Sequence, residues 1–411
     1  MSDRIVGRLS RRRLLGASAA TAASLPFWAS AHTAFAAPLE RPSAKPGVKD
    51  VLQQIPDHAT QLMQQWTVPG MAVGVLIGDD LVYAEGFGEK SVATGKPYTP
   101  PSVQGLQSVA GALLGTAIMQ LVERGKLDVD NPVTAYLPYF KIDDPRYTQI
   151  TVRRLLGHTS GLPYAAPLDD ALGGVPDGEF ANPGGDPAHP TVEEYVRGLK
   201  GAGISLATAP GEVNSYSDLG YDILGDVVHK VSGQLFQDYC AEHFFEPLGM
   251  KSSTLVHGQV DPKRLVPAHD LDAAGKPIVR TRPTWVPRHI PSCGLRSNLH
   301  DMSRWIRMQL NGGSLGNARI LKPASQAELW TTLSSWQYDP TATAGWGVIL
   351  SSIDRYKTVS MYGDPLYECS LMIAPGRRIA VMALTNRTPW PDGFPTWELG
   401  YWALGALLAA A

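Results

Sequence analysis

The sequence carries two strand-like hairpins near opposite ends of the chain. Residues 70–91 read GMAVGVLIGDDLVYAEGFGEKS, in which a Gly-Asp-Asp turn joins two apolar runs and the second run alternates apolar and polar positions. Residues 359–386 read VSMYGDPLYECSLMIAPGRRIAVMALTN, which predicts two or three strands, the last pair joined by Pro-Gly-Arg-Arg. Because helical patterns fill the chain between them, we predict one sheet built from both chain ends, with a cleft beside an inserted helical region.

Four segments carry the apolar spacing of helices, at 50–66, 116–122, 218–233 and 397–411. Gly125 follows the second of them where a terminating glycine belongs. The fold class is therefore α/β in the α+β sense, an antiparallel sheet flanked by helices. Its sheet region is expected at about 49–100 and 295–411, and its helical region at about 101–294.

The first 36 residues differ in composition from the rest of the chain. Arginines precede a small apolar run, and Ala34-Phe35-Ala36 supplies a small-x-small cleavage pattern, so residues 1–36 read as a secretory signal peptide. The segment SRRRLLG at 10–16 resembles a twin-arginine export signal. A proline-rich linker is expected at 37–48 and the folded domain at 49–411. We predict a periplasmic or secreted protein with no stable membrane span after cleavage.

Composition excludes several partners. A formal net charge of -2 offers no basic excess for nucleic acid. The three cysteines show no CxxC spacing, so they suggest buried free thiols rather than a zinc site, although one disulfide is an alternative. Since the chain has no HExxH, no Walker loop and no GxGxxG after a strand, we expect no metal and no cofactor.

Seven segments together resemble the serine β-lactamase and penicillin-binding-protein-like superfamily, particularly its class C β-lactamase and esterase branch. In chain order they are VPGMAVGVL, TAIMQLVERGKLDVDNPV, ITVRRLLGHTSGLP, PGEVNSYSDLGYDILGDVVHKVSG, PLGMKSSTL, SCGLRSNLHDMSRWIRMQLNGG and IAVMALTN. The resemblance implies a β-lactamase/transpeptidase-like fold and acyl transfer through a serine. Because one fold serves many functions, the site must be argued separately.

The first catalytic element of such proteins is Ser-x-x-Lys, which places an amine beside the nucleophilic hydroxyl. Here the corresponding residues read Ser108-Val109-Ala110-Gly111, with glycine in place of the lysine, and no Ser-x-x-Lys occurs elsewhere in the chain. The resemblance therefore assigns Ser108 as the nucleophile and puts Gly111 at the position of the base, facing the substrate. Ser108 also fits a purely structural reading, as a polar residue near a helix start.

The second and third elements are altered as well. Tyr216-Ser217-Asp218 stands where the family has Tyr-x-Asn, so a carboxylate replaces an amide, and Met361-Tyr362-Gly363 stands where it has His-x-Gly or Lys-Thr-Gly. We assign Tyr216 and Asp218 to catalysis, and Tyr362 and Gly363 with Gly111 to substrate binding. An anionic substrate group would be repelled by this cleft. Packing of Tyr216 and solvation of Asp218 are the structural alternatives.

Four further residues have chemical potential. His158 reads as a structural histidine, whereas His289 is placed to reach the cleft mouth. Cys293 and Cys369 lie in segments expected near the cleft, but neither has a base adjacent in sequence, so packing is the preferred interpretation.

Two functions are compatible with these residues. The first is hydrolysis or acyl transfer on an ester, lactone or amide through Ser108, without the lysine. The second is a non-catalytic protein that uses the same cleft to bind a small ligand or a cell-wall fragment. Both imply a small-molecule partner and no nucleic acid, and both leave the oligomeric state open.

Overall fold

The computed structural model describes residues 47–164, 191–280, 289–364, 366–389 and 392–410. The predicted signal peptide at 1–36 and most of the predicted linker lie outside these ranges. The Gly- and Pro-rich sequence between Tyr164 and Pro190 lies almost entirely outside them too.

Helices and strands have the following bounds. The helices are α1 Val48–Gln65, α2 Ala110–Glu123, α3 Val152–Leu156, α4 Val192–Gly198, α5 Asp218–Ser232, α6 Phe236–Cys240, α7 Glu246–Leu248, α8 Ile290–Cys293, α9 Leu299–Leu310, α10 Pro323–Glu328 and α11 Pro395–Ala410. The strands are β1 Gly70–Ile77, β2 Asp80–Ser91, β3 Lys96–Pro97, β4 Gln104–Gln107, β5 His269–Leu271, β6 Pro277–Val279, β7 Leu295–Ser297, β8 Ser314–Leu315, β9 Ala318–Arg319, β10 Ser334–Trp336, β11 Asp339–Ala344, β12 Ile349–Ile353, β13 Tyr356–Gly363, β14 Glu368–Ala374 and β15 Ile379–Thr385.

Within the described residues, nine strands form the main sheet in the order β10-β11-β12-β13-β14-β15-β1-β2-β3, and each neighbouring pair is antiparallel. The first and last long strands meet at its centre, where Met71 is opposite Thr385 and Ile77 is opposite Ile379. The two chain ends therefore build one sheet, and the predicted fold class is confirmed.

The sheet is buried on both faces. On its outer face α1 and α11 pack against Val73, Val75 and Val381. On its inner face α2, α5 and the rest of the helical region pack against Ala72 and Leu76. Alternate residues of β1 are buried against two different layers, which explains why this strand is apolar throughout. Strand β2 is partly exposed and has polar positions.

The predicted helices are present, and α1 continues through Pro56. Gly125 follows α2 with a positive φ of 66°, as a terminating glycine should. The predicted sheet region differs from the structure in one stretch, because residues 299–328 form α9, a short hairpin and α10 before the sheet resumes at Ser334. None of the helices in the described ranges is both long and apolar enough to cross a membrane.

Candidate active site

Ser108 lies in the tight turn between β4 and α2, where the inner helices meet the sheet. It is partly exposed, whereas its neighbours on both sides are buried. Gln107, the residue before it, has a positive φ of 45° that is unusual for a side chain other than glycine. Pairing of Gln107 with Leu295 of β7 holds this conformation. Such strain is found at functional turns, and here it presents the serine hydroxyl at the head of a rigid helix.

Gly111 is buried in the first turn of α2 and does not form part of the cleft surface. A Cβ atom at this position would lie 2.9 Å from Cε1 of Tyr221, so the tyrosine ring occupies the space beside the helix. Tyr221 is itself buried, and its hydroxyl donates to the carbonyl oxygen of Leu156 at 3.0 Å. Close packing of the ring accounts for the glycine, and the assignment of Gly111 to substrate binding stays a prediction.

His158 holds the tyrosines of the cleft in place. Its ring stacks on Tyr216 with centroids 4.5 Å apart and on Tyr221 at 4.7 Å. Its Nδ1 accepts a hydrogen bond from the backbone N–H of Ser217 at 3.2 Å. Burial lowers the pKa of His158 to about 3, so the ring is neutral and cannot act as a cation for Ser108. The structural role predicted for His158 agrees with this geometry.

Ser108, Tyr216 and Asp218 come together in one chain of polar groups. The Ser108 hydroxyl and the Asp218 carboxylate both act on the pKa of the Tyr216 phenol, so the three side chains are neighbours. Burial, with the Asp218 carboxylate nearby, raises the pKa of Tyr216 well above its ordinary value. The phenol thus keeps its proton at neutral pH and is not a base by itself.

Asp218 begins α5, and Ser217 precedes it as the helix cap, accepting from the backbone N–H of Gly220 at 3.0 Å. Burial, followed by the charge of Asp222, raises the pKa of Asp218 to about 6, although its hydrogen bond with Tyr164 opposes the shift. Its Oδ1 is buried and has no hydrogen-bond partner. Asp218 is consequently not a solvated loop residue but a carboxylate whose protonation changes near neutral pH.

His289 lies at the start of α8 and pairs with a second buried carboxylate of α5. Its Nδ1 is 2.6 Å from Oδ2 of Asp222. The imidazole also acts on Asp218 and lowers its pKa, against the larger effect of burial. His289 therefore lies near the cleft, where its imidazole pairs with Asp222 and acts on Asp218.

Asp364 was not identified from the sequence. It follows β13 directly, next to the Gly363 position, and its Oδ2 is buried without a hydrogen-bond partner. Burial, followed by the charge of Asp218, raises the pKa of Asp364 to about 7. The only signal in the sequence was an acidic residue one place after the third element, and its burial could not be read from that position alone.

The third element is packed more tightly than the sequence suggested. Met361 is buried in the inner core. A Cβ atom at Gly363 would lie 2.3 Å from the carbonyl oxygen of Leu106, so the glycine is required by β4 and not by a ligand. The Tyr362 ring contacts Phe394 and Trp397, and its hydroxyl is buried. Packing within the protein accounts for both positions, and the assignments of Tyr362 and Gly363 to substrate binding stay predictions.

The three cysteines are unpaired in the structure. The Cys369 thiol donates to the carbonyl oxygen of Leu106 at 3.2 Å, and the Cys293 thiol donates to that of His289 at 3.4 Å. Burial raises the pKa of each of these thiols. A raised pKa makes a thiol a poor nucleophile at neutral pH, which favours packing for both.

One group in the described ranges brings metal-type ligand atoms together: Glu193, Asp226 and His229, within 4.8 Å of one another. Glu193 is already paired with Arg197 at 2.7 Å and with Lys230. These charges make the group an ion-pair network that joins α4 to α5, and it carries no assignment as a metal site.

The family follows from comparison with known proteins. The profile of the family described as Beta-lactamase matches residues 55–402. The chain belongs to the beta-lactamase family. Penicillin-binding protein 4 of Amycolatopsis lactamdurans is 29% identical over 332 residues, which cover 78% of this chain and 81% of that protein. Protein flp of Staphylococcus aureus strain MW2 is 25% identical over 338 residues, or 82% of this chain and 63% of that protein. The matches to flp from other strains span about half of its length.

Two solved structures have the same fold. The octameric penicillin-binding protein homologue from Pyrococcus abyssi superposes with a TM-score of 0.73 and 26% identity, covering 87% of this chain and 77% of that one. D-amino acid amidase from Ochrobactrum anthropi SV3 superposes with a TM-score of 0.69 and 21% identity, covering 88% and 98%. The family and fold implied by the sequence resemblance are thus confirmed for this beta-lactamase-family chain.

Proposed function

We propose that this protein is a serine acyl-transfer enzyme in which Tyr216 and Asp218 together replace the missing lysine. The observation that carries the proposal is the proximity of three side chains, in which the Tyr216 phenol interacts with both the Ser108 hydroxyl and the Asp218 carboxylate. The substrate class is a small ester, lactone or amide. Family membership supports the reaction type, and the site residues supply the route for the proton.

The proton moves in two linked transfers. As the Ser108 oxygen forms a bond to the substrate carbonyl carbon, its proton passes to the Tyr216 oxygen, and the phenol proton passes to Asp218. The carbonyl oxygen gains the negative charge. When the intermediate collapses, the same route returns the proton to the leaving group, and a water molecule then releases the acyl group through an equivalent cycle. Tyr216 carries the proton without becoming a free phenolate, which its raised pKa requires.

Stabilisation of the charged carbonyl oxygen falls to backbone donors. The N–H of Ser108 at the head of α2 and that of Asp364 after β13 are our candidates for an oxyanion hole. The buried Asp364 carboxylate lies beside the second of them and opposes negative charge there when it is ionised. Because this charge opposes the developing charge on the carbonyl oxygen, we expect slow turnover on neutral substrates.

Covalent labelling tests the nucleophile. A fluorophosphonate probe is expected to add once to the protein, at Ser108 by peptide mass, and Ser108→Ala should abolish the addition. Ser352→Ala, at an exposed serine of β12, serves as the matched control and should label normally. Labelling that survives Ser108→Ala would contradict the assignment.

The proton route from Ser108 through Tyr216 to Asp218 predicts how single and double variants should behave. Tyr216→Phe and Asp218→Asn should each slow labelling of Ser108 by about 100-fold or more, because the serine proton then has no acceptor. Since members of one catalytic unit are not additive, the double variant should be little slower than either single one. Additive losses would contradict a shared route.

A non-catalytic binding protein is the second candidate. It is favoured by the packing at Gly111, where the ring of Tyr221 occupies the space beside the position of the family's base. Under this reading the probe leaves Ser108 unmodified while small ligands still bind the cleft.

Export is proposed on the sequence alone. We infer that residues 1–36 direct the protein through the twin-arginine route and are removed after Ala36. The mass of the mature protein from the periplasm or the medium should begin at Ala37, and lysine at positions 11–13 should leave the precursor in the cytoplasm. Normal export of that lysine variant would contradict the route.

A further inference from the structure

We propose that the cleft beside Ser108 binds a primary ammonium group of its ligand, held between Asp218 and Asp364 and walled by tyrosines. The inference rests on the proposed use of this cleft, and it adds the class of molecule that the cleft selects. Because it concerns binding, it can be tested separately from acyl transfer.

Two neighbouring carboxylates each have an oxygen without a hydrogen-bond partner among the described residues. Oδ1 of Asp218 and Oδ2 of Asp364 are both buried and accept no hydrogen bond from the described residues. The residues come from different parts of the fold, one from the first turn of α5 and the other from the end of β13. They are close enough that the charge of Asp218 acts on Asp364. A buried acceptor without a donor is costly, and a ligand with N–H groups removes that cost.

The charges around these carboxylates do not cancel. The groups that act on Asp218 are Asp222, the hydroxyls of Tyr164 and Tyr216, and the imidazole of His289. Those that act on Asp364 are Asp218 and the hydroxyl of Tyr362. No lysine or arginine of the described ranges is among those groups. The imidazole already pairs with Asp222 at 2.6 Å, and no cation of the described ranges is among the groups that act on Asp364. The site therefore has an excess of negative charge that a bound cation would neutralise.

Aromatic side chains surround the two carboxylates. Both carboxylates act on the phenols of Tyr164 and Tyr338, which places these rings beside them. Tyr164 and Tyr216 have ring centroids 5.9 Å apart, and Trp336 links the series, at 6.0 Å from Tyr216 and 5.4 Å from Tyr338. Aromatic faces attract organic cations, and such walls discriminate against hydrated metal ions.

The chemistry of the acceptors selects a primary ammonium group. Two orphan oxygens on separate residues need two N–H donors from one compact centre, which a primary ammonium supplies with three. A quaternary ammonium offers charge but no donor. An amine attached near an ester or amide carbonyl would place positive charge beside the backbone donors at Asp364 and offset its carboxylate during acyl transfer.

Binding to the Ser108→Ala variant, which cannot be acylated, tests the proposal. Isothermal titration would compare benzylamine with benzyl alcohol, benzyltrimethylammonium and calcium chloride at pH 8, where both carboxylates are ionised. We expect benzylamine to bind at least tenfold more tightly than either organic analogue. Comparable binding of benzyl alcohol or of the quaternary ion, or binding of calcium alone, would overturn the proposal, as would no binding of benzylamine.

Variants locate the bound group. On the Ser108→Ala background, Asp364→Asn and Asp218→Asn should each weaken benzylamine about ten- to hundredfold, because each removes a charged acceptor. Asp57→Asn, at an exposed carboxylate of α1 on the other side of the sheet, should leave the affinity unchanged. Melting temperatures confirm that the variants fold. Unchanged affinity in both cleft variants would overturn the site, whatever the outcome of Ser108 labelling.

Discussion

Replacement of Asp364 by asparagine should make the protein more stable at alkaline pH. Burial, with the nearby charge of Asp218, raises the pKa of Asp364 from an ordinary 3.8 to about 7. The unfolded chain loses this proton near pH 4 and the folded chain near pH 7, so the folded state binds more protons between these values. The stability that the Asp364 proton contributes is present below pH 4 and is lost as pH rises through 7.

The size of the effect follows from the shift. Three pKa units correspond to about 4 kcal/mol once both states are ionised, and about 2 to 3 kcal/mol of this develops between pH 5 and pH 8. Because part of the pKa shift comes from the charge of Asp218, we expect a single substitution to change the free energy of unfolding by the lower value of that range. Asp364→Asn has no proton to lose, so its advantage over the natural protein should widen by about 2 kcal/mol from pH 5 to pH 8.

Urea denaturation followed by tryptophan fluorescence at pH 5 and pH 8 measures this difference. Ser352→Ala, at an exposed position of β12 without an ionisable group, is the control and should show the same gap from the natural protein at both pH values. A constant gap for Asp364→Asn, or a natural protein that is more stable than the variant at pH 8, would refute the account of the buried acids.

Three further outcomes are expected. Gly111→Lys should lower the free energy of unfolding by about 1–3 kcal/mol and should not speed Ser108 labelling, because its Cβ would lie 2.9 Å from the buried Tyr221 ring; faster labelling would show that the ring yields. Ser217→Ala should cost about 1 kcal/mol in urea denaturation, since its hydroxyl caps α5 at 3.0 Å, and no loss would mean that the cap is dispensable. Cys293 should react with iodoacetamide far more slowly than free cysteine at pH 8, because burial raises the pKa of its thiol, and modification at the free-cysteine rate would contradict its packing role.

Much of the fold follows from periodic patterns in the sequence. Strand β1 is continuous in apolar residues because both of its faces are covered, and the amphipathic helices α1 and α5 place their apolar sides on the sheet and in the helical core. Such patterns are local and record which side of an element is buried. One sheet from both chain ends was predicted because strand patterns near the two termini flank a helical region, but the pairing of β1 with β15 is seen only in the structure.

The candidate site was predictable only where its chemistry is local. Ser108, Tyr216 and Asp218 stand at recognisable spacings, and the structure brings them together. The role of Gly111 depends on a ring that arrives from α5, and that of Gly363 on the carbonyl oxygen of Leu106. These contacts are set by tertiary packing, so no spacing along the chain reports them.

The dependence of Ser108 labelling on pH tests the central claim most directly. Because the pKa of Asp218 is raised to about 6, the rate of fluorophosphonate addition should rise about tenfold per pH unit below 6 and level off above it. In Asp218→Asn this rise should disappear and the plateau should fall by about 100-fold or more. An identical profile in the natural protein and in Asp218→Asn would show that the proton of Ser108 leaves by another route.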